Sequence, residues 1–212
     1  MAPRTIPDAT HAVARAVEPT PAAWRLFVAI DVGDAARAAI RTAQEHCREA
    51  GFPLRPVATA GAHLTLRFLG ATDPTRVPVL GAALRTVAAE RGPFALHTAA
   101  PGAFPSAARA RVLWLGLAGS PTQLSALQRA TAAALADCGV PHERKPFHPH
   151  LTIGRIVAST APPAARTAAL LAALPVVAAP LPVTAIHLLR STLGPGGARY
   201  TTVLTAPLCG AA

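Results

Sequence analysis

The chain is short of aromatic rings, acidic side chains, lysine and cysteine, and each shortage excludes something. Only 4% of its 212 residues are aromatic, so the interior has to be filled by Ala, Val and Leu. The three cysteines, Cys47, Cys138 and Cys209, are odd in number, far apart and without metal-ligand spacing. They exclude a disulfide framework and a zinc ribbon, and they suit free thiols in a reducing cytoplasm. No apolar stretch reaches the roughly 18 residues that a spanning helix needs, so no membrane partner is expected. Residues 1–23 include Asp8 and Glu18 and have no apolar run of the secretory type. They are expected to form a disordered extension ahead of the folded part over 24–209, a length that suits one domain or two closely packed lobes.

Acidic residues are scarce and unevenly placed. Ten of them face twenty basic ones, giving a net charge of +10, and nineteen of the basic residues are arginine, with Lys145 the single lysine. The Ala, Arg and Pro bias looks like codon usage in a GC-rich genome, so part of the arginine content carries no functional information. The distribution says more. No acid follows Glu143, while Arg144, Lys145, Arg155, Arg166, Arg190 and Arg199 all lie beyond it. A positive field favours an anionic partner such as a nucleotide or RNA, although a solvated basic surface would have the same composition.

What the chain does have is one short pattern used twice: His63-Leu64-Thr65-Leu66 and His150-Leu151-Thr152-Ile153. On a β-strand side chains alternate, so in each copy His and Thr point one way and the aliphatic residues the other. Two such strands facing each other would present two proton-transfer groups and two hydroxyls to a small anion. The second histidine follows the first by 87 residues, and the same offset carries Leu26–Ile30 onto Leu113–Leu117. Helical stretches are expected over Asp34–Ala50 and Ser120–Cys138, each begun by a capping side chain (Asp34, Ser120) and followed by a glycine (Gly51, Gly139). Further helices are expected over Asp73–Arg91 and Pro162–Leu174. Strand, helix, His-Thr strand, helix thus occurs twice, which reads as two similar lobes with their motifs face to face.

The residues around the motifs are less decisive. Arg67 is four residues past His63 and so on its face by strict alternation, whereas Arg155, three past Thr152, falls on the opposite face unless a bulge or the Gly154 backbone re-aims it. Phe27, Phe147 and Trp114 are aromatics of the kind that fill cores more often than they stack on bases. His148-Pro149-His150 admits a metal reading, since two histidines two apart on a strand can share an ion. No Cys or carboxylate lies near it, and Gly61 stands where His148 would repeat.

With these residues in view, the chain resembles the two-histidine phosphoesterase superfamily, and within it the RNA 2′,3′-cyclic phosphodiesterases that are also called 2′-5′ RNA ligases. The resemblance rests on Arg25–Asp31, His63–Gly70, Gly102–Pro105, Arg111–Trp114, Arg144–Thr152 and Ser191–Tyr200. It implies an α+β, bilobal fold with two antiparallel sheets, flanking helices, a central cleft and an internal pseudo-twofold repeat. It implies that His63 and His150 are the catalytic pair, proton donor and proton acceptor respectively, with Thr65, Thr152 and Arg155 on the phosphate. Phe27, Arg67 and Phe147 are then candidate substrate contacts. The activity implied is metal-independent opening of 2′,3′-cyclic phosphate RNA ends to 2′-phosphates in the cytoplasm. It would need no cofactor and no obligate protein partner, and would be carried out by a monomer. Three alternatives stand beside it: 2′-5′ ligation on the same residues, a nucleotide- or RNA-binding module without turnover, and a metal hydrolase built on His148 and His150.

Overall fold

The nine strands and four helices of the described residues sort into two antiparallel sheets with one shared interior. The structure is a computed structural model that describes residues 22–143, 145–157, 159, 162–195 and 197–210. The extension expected over 1–23 lies, apart from residues 22 and 23, outside these, as does Arg144. In chain order the elements are β1 (Trp24–Asp31), α1 (Gly33–Glu49), β2 (Leu54–Pro56), β3 (His63–Thr72), α2 (Val77–Ala89), β4 (Phe94–Phe104), β5 (Val112–Gly119), α3 (Pro121–Asp137), β6 (Leu151–Ile156), α4 (Ala164–Ala173), β7 (Pro180–Val183), β8 (Ala185–Gly194) and β9 (Gly197–Pro207). The first sheet runs β3-β1-β8-β9 and the second β2-β6-β5-β4-β7. Among the described residues no helix is long and apolar enough to cross a membrane.

The helices form where the apolar spacing asks for them. Along α1 the buried residues are Ala36, Ala39, Ile40, Ala43 and Cys47, the three-and-four spacing that places one stripe against a core. Its end is set by Gly51 at φ +57°: Gly51 N donates to Arg48 O at 3.0 Å and Phe52 N to Cys47 O at 2.9 Å. The same closure ends α3, with Gly139 at φ +78°, its N donating to Ala136 O at 2.7 Å and Val140 N to Leu135 O at 2.9 Å. In both, a left-handed residue satisfies otherwise orphaned carbonyls while Phe52 or Val140 tucks an apolar side chain back into the core. Two capping expectations fail. Val32 precedes α1, with Asp34 already inside its first turn, and Ser120 precedes α3 without a side-chain capping bond. The stretch after the first motif divides into a 3₁₀ turn over Pro74–Arg76, capped by Asp73 accepting from Thr75 N at 2.9 Å, followed by α2.

The two halves are interlocked. β4 leaves the first half and pairs with β5 in the second sheet, while β8 returns from the second half to pair with β1 in the first. Helices cross as well: α1, which follows β1, packs on β6 and β7, and α3, which follows β5, packs on β3. The buried residues Leu26, Leu64, Leu113 and Leu151, contributed by both sheets, belong to a single cluster.

Candidate active site

The two motifs have the same construction down to the backbone. His63 opens β3 opposite Asp31 of β1, and His150 immediately precedes β6. In each, ring Nδ1 lies 2.7 Å from the carbonyl oxygen two residues back, Gly61 for His63 and His148 for His150. A carbonyl only accepts, so Nδ1 carries the hydrogen and Nε2 keeps the free lone pair. Both histidines sit below the ordinary imidazole pKa. For His63 burial is the main cause, the Gly61 bond opposes it, and the charge of His150 adds to the lowering. For His150 burial again leads, the His148 carbonyl opposes it, and the His148 charge lowers it further. Each imidazole therefore senses a second one.

Alternation is interrupted at the same place in both strands. Opposite β1, Thr65 pairs with Ala29, Arg67 with Val28 and Phe68 with Phe27, so Leu66 is an extra residue. Opposite β5, Thr152 pairs with Trp114, Gly154 with Leu113 and Arg155 with Val112, so Ile153 is extra. A one-residue bulge reverses the faces beyond it. Because Phe27 and Ala29 share a face of β1, Phe68 joins His63 and Thr65; because Val112 and Trp114 share a face of β5, Arg155 joins Thr152.

That reversal corrects the expectation for Arg67. It lies on the far side with Val28, 3% exposed, its Nη1 3.3 Å from Glu143 Oε2 and its Nη2 donating to the Pro141 carbonyl. It ties β3 to the segment leading into the second motif and is not placed to touch a substrate in the cleft. Arg155 is exposed, with no acidic partner among the described residues. Thr65 and Thr152 are half-buried beside their histidines and have no hydroxyl partner among the described residues. Phe147 is half-buried against the core, and Phe27 is 3% exposed but touches His63.

Each histidine is held between aromatic rings. His63 lies 4.7 Å from the Phe27 centroid and 4.8 Å from Tyr200, edge-on; His150 lies 4.8 Å from Phe104, edge-on, and 6.3 Å from Trp114. Sequence reasoning gave Tyr200, Phe104 and Phe68 no role and weighed Trp114 as core. The available signal was scarcity: of nine aromatic residues in the chain, five (Phe27, Phe68, Phe104, Trp114, Tyr200) stand around the two motifs. The sheets also differ inside the repeat. Where the first sets Ala29 beside His187, the second sets Trp114 beside Gly102, and a Cβ on Gly102 would overlap the indole ring.

Chemically, the two motifs offer two imidazoles, with the charge of His150 bearing on His63, two hydroxyls and one guanidinium. Among the described residues no group of three or more His, Cys, Asp or Glu is gathered as a metal cage. His148 spends its carbonyl on His150 and its ring lies 6.1 Å from Phe104.

Comparison with known proteins gives consistent matches. A profile of the 2′-5′ RNA ligase superfamily matches residues 32–195. The RNA 2′,3′-cyclic phosphodiesterase of Thermus thermophilus is 32% identical over 84% of this chain and 87% of its own length. That of Escherichia coli K12 is 36% identical over 62% of this chain and 71% of its own. With the relatives from Aeropyrum pernix and Geobacillus stearothermophilus the match spans only 59% and 46% of their lengths. Among solved structures, a Thermus thermophilus protein superposes with a TM-score of 0.74 at 28% identity, and Escherichia coli LigT complexed with 3′-AMP with 0.67 at 30%. Each superposition covers 88% of this chain and 98% of the other.

Proposed function

The chain belongs to the 2′-5′ RNA ligase superfamily, and on that premise we propose that it is an RNA 2′,3′-cyclic phosphodiesterase, opening cyclic phosphate ends to 2′-phosphates within the bilobal unit of residues 24–209. The observation that carries this reading is the mirrored clamp. Two Nδ1–H···O=C bonds of equal length aim two Nε2 atoms from matching positions, each with a threonine on its face. A strained cyclic diester needs a base for water, an acid for the departing oxygen and positive or hydroxyl groups for the non-bridging oxygens, and these are the groups present.

In the reaction, His150 Nε2 takes a proton from water as the water oxygen bonds to phosphorus. The P–O3′ bond breaks, and His63, protonated at Nε2, gives its proton to the ribose 3′ oxygen. Thr65, Thr152 and Arg155 hold the equatorial oxygens as charge accumulates on them. One proton enters from water and one leaves on ribose, so the pair finishes with its protons exchanged and resets through solvent. The step needs no metal or cofactor. The substrate is an RNA or oligonucleotide end, drawn by the net charge of +10. The protein acts as a monomer in the cytoplasm, in keeping with its three free thiols.

The test is incubation with a 2′,3′-cyclic-phosphate oligonucleotide in EDTA, with the phosphate position of the product determined. Conversion to the 2′-phosphate is expected, with the rate reduced about 10²–10⁴-fold or more in His63→Ala and in His150→Ala. Either variant staying within about tenfold of wild type would sink the assignment, and loss of activity in EDTA that added metal restores would sink the metal-free scheme.

A further inference from the structure

We propose that Arg55 holds the phosphodiester on the 5′ side of the terminal nucleotide. The short strand β2 is then a second phosphate subsite, which favours an RNA strand over a mononucleotide. The proposal rests on the phosphodiesterase reading and deepens it.

β2 is the element that the repeat does not account for. The strand of the first motif, β3, is the edge of its sheet, whereas the strand of the second, β6, is covered at the matching edge by β2. By chain order β2 belongs to the first motif, since Arg55 precedes His63 by eight residues. By pairing it belongs to the second, with Leu54 opposite Ile156, Arg55 opposite Arg155 and Pro56 opposite Gly154. Three residues add little to the core, for Leu54 is half-buried and Arg55 and Pro56 are exposed. What the strand adds to the cleft is a charge.

Residues directly opposed in an antiparallel pair share a face, and like charges placed so repel. Arg155 is on the cleft face with Thr152, so Arg55 is there too. Both side chains are exposed, and neither has a hydrogen-bond or ion-pair partner among the described residues. The register that opposes them is held firmly. Gly154 lets β2 come close, since a Cβ there would lie 2.7 Å from the Arg55 carbonyl oxygen. From α1, Gln44 Nε2 donates at 2.9 Å to the carbonyl oxygens of Val57 and of Ile153, the bulge residue of β6. One amide thus ties the end of β2 to the bulge that turns Arg155 toward the cleft. Two guanidinium groups kept side by side without an acid are relieved by an anion, and phosphate oxygens suit their fork.

The spacing separates the two roles. Arg155 is on the motif strand and serves the phosphate that Thr152 holds. Arg55 is one strand further out, about 4.8 Å across the sheet, and its row lies about 7 Å along the strand from that of Thr152. It stands beyond the reacting phosphorus, where the backbone of a longer substrate continues. A nucleoside cyclic phosphate has no anion to offer there, and an RNA strand does.

The experiment measures kcat/KM at fixed ionic strength on three substrates. They are adenosine 2′,3′-cyclic phosphate, the same nucleotide with a 5′-phosphate, and the dinucleotide ApA ending in a 2′,3′-cyclic phosphate. Wild type should prefer the second and third over the first, mainly through KM. That preference should fall about tenfold in Arg55→Ala and in Arg55→Gln, and Arg55→Lys should keep part of it. Arg41→Ala, which removes an exposed arginine from α1, should keep all of it and so controls for net charge. No preference in wild type, or one retained in Arg55→Ala, would overturn the proposal. So would an equal loss on all three substrates, which would mark a structural role or contact with the reacting phosphate. If wild type turns over none of them, the hydrolase reading fails. The subsite is then judged by equilibrium dialysis of adenosine 2′,5′-bisphosphate against 2′-AMP. A ratio of affinities that falls in Arg55→Ala would uphold it, and an unchanged ratio would overturn it.

Discussion

At the scale of the residue, what matters about His63 and His150 is where burial leaves their protons. Both are held below the ordinary imidazole pKa of about 6.5. At neutral pH both are then largely neutral, and the form with one proton between them becomes populated only as pH falls. The kcat/KM profile on a cyclic nucleotide should be bell-shaped with its maximum on the acid side of about 6.5, and a flat profile would contradict a two-histidine mechanism. The same depression costs stability in acid. Below about 6.5 the unfolded chain binds protons that the folded site resists, so stability is full above that pH and is lost as pH falls through the folded values. His187, also lowered by burial with Asp31 opposing, adds to the effect. The thermal midpoint should therefore drop on going from about pH 7.5 to 5.5, and drop less in a His63→Gln/His150→Gln double variant. Arg155 is expected to supply charge-assisted bonds of about 1.5–3 kcal/mol, so Arg155→Ala should lower kcat/KM roughly ten- to hundredfold. Arg155→Lys should recover part of it, since an ammonium restores charge without the planar fork.

At the scale of the element, Gly102 is where the second lobe is most exposed to a small change. Any Cβ there runs into the Trp114 ring, and Trp114 with Phe104 flanks His150. Gly102→Ala should cost about 1–3 kcal/mol in a urea titration and lower kcat, while Ala103→Gly, one residue further along β4, should leave kcat within about twofold. The elements also show how far sequence could reach. α1 and α3 were readable to within one or two residues because their stripes are periodic and Gly51 and Gly139 punctuate them. The strand offset was not. Ala29 and Trp114 are the residues opposite the two threonines, 85 apart, so the run Leu26–Ile30 corresponds two residues earlier than the motif spacing suggested. The bulges were likewise hidden. Leu66 and Ile153 read as ordinary members of alternating runs, and only the interior that buries both shows that each is an insertion. For this reason Arg67 and Arg155 exchange the faces that alternation assigns them. Membership of β4 and β8 in the opposite sheet is a long-range choice that no local pattern encodes.

At the scale of the whole molecule, the charge of +10 is a long-range property and should be measured as one. For a cyclic-phosphate oligonucleotide, kcat/KM should fall with added salt, with a log–log slope near about −0.7 for each phosphate contact, and the slope should flatten for a mononucleotide. Equal slopes would mean that the basic surface does not engage the rest of the strand. The interlocking of the halves has a different consequence, which concerns the ribosome. Val28 pairs with Leu188, so the inner strand of the first sheet is synthesised 160 residues before the neighbour that completes it. At about 5–20 residues per second this leaves one edge of β1 waiting on the order of ten seconds, with Leu26, Val28 and Ile30 in need of cover. The nascent chain passes most of its translation as an unfinished sheet, so a shortage of chaperone should be felt during synthesis, well before it affects the finished protein.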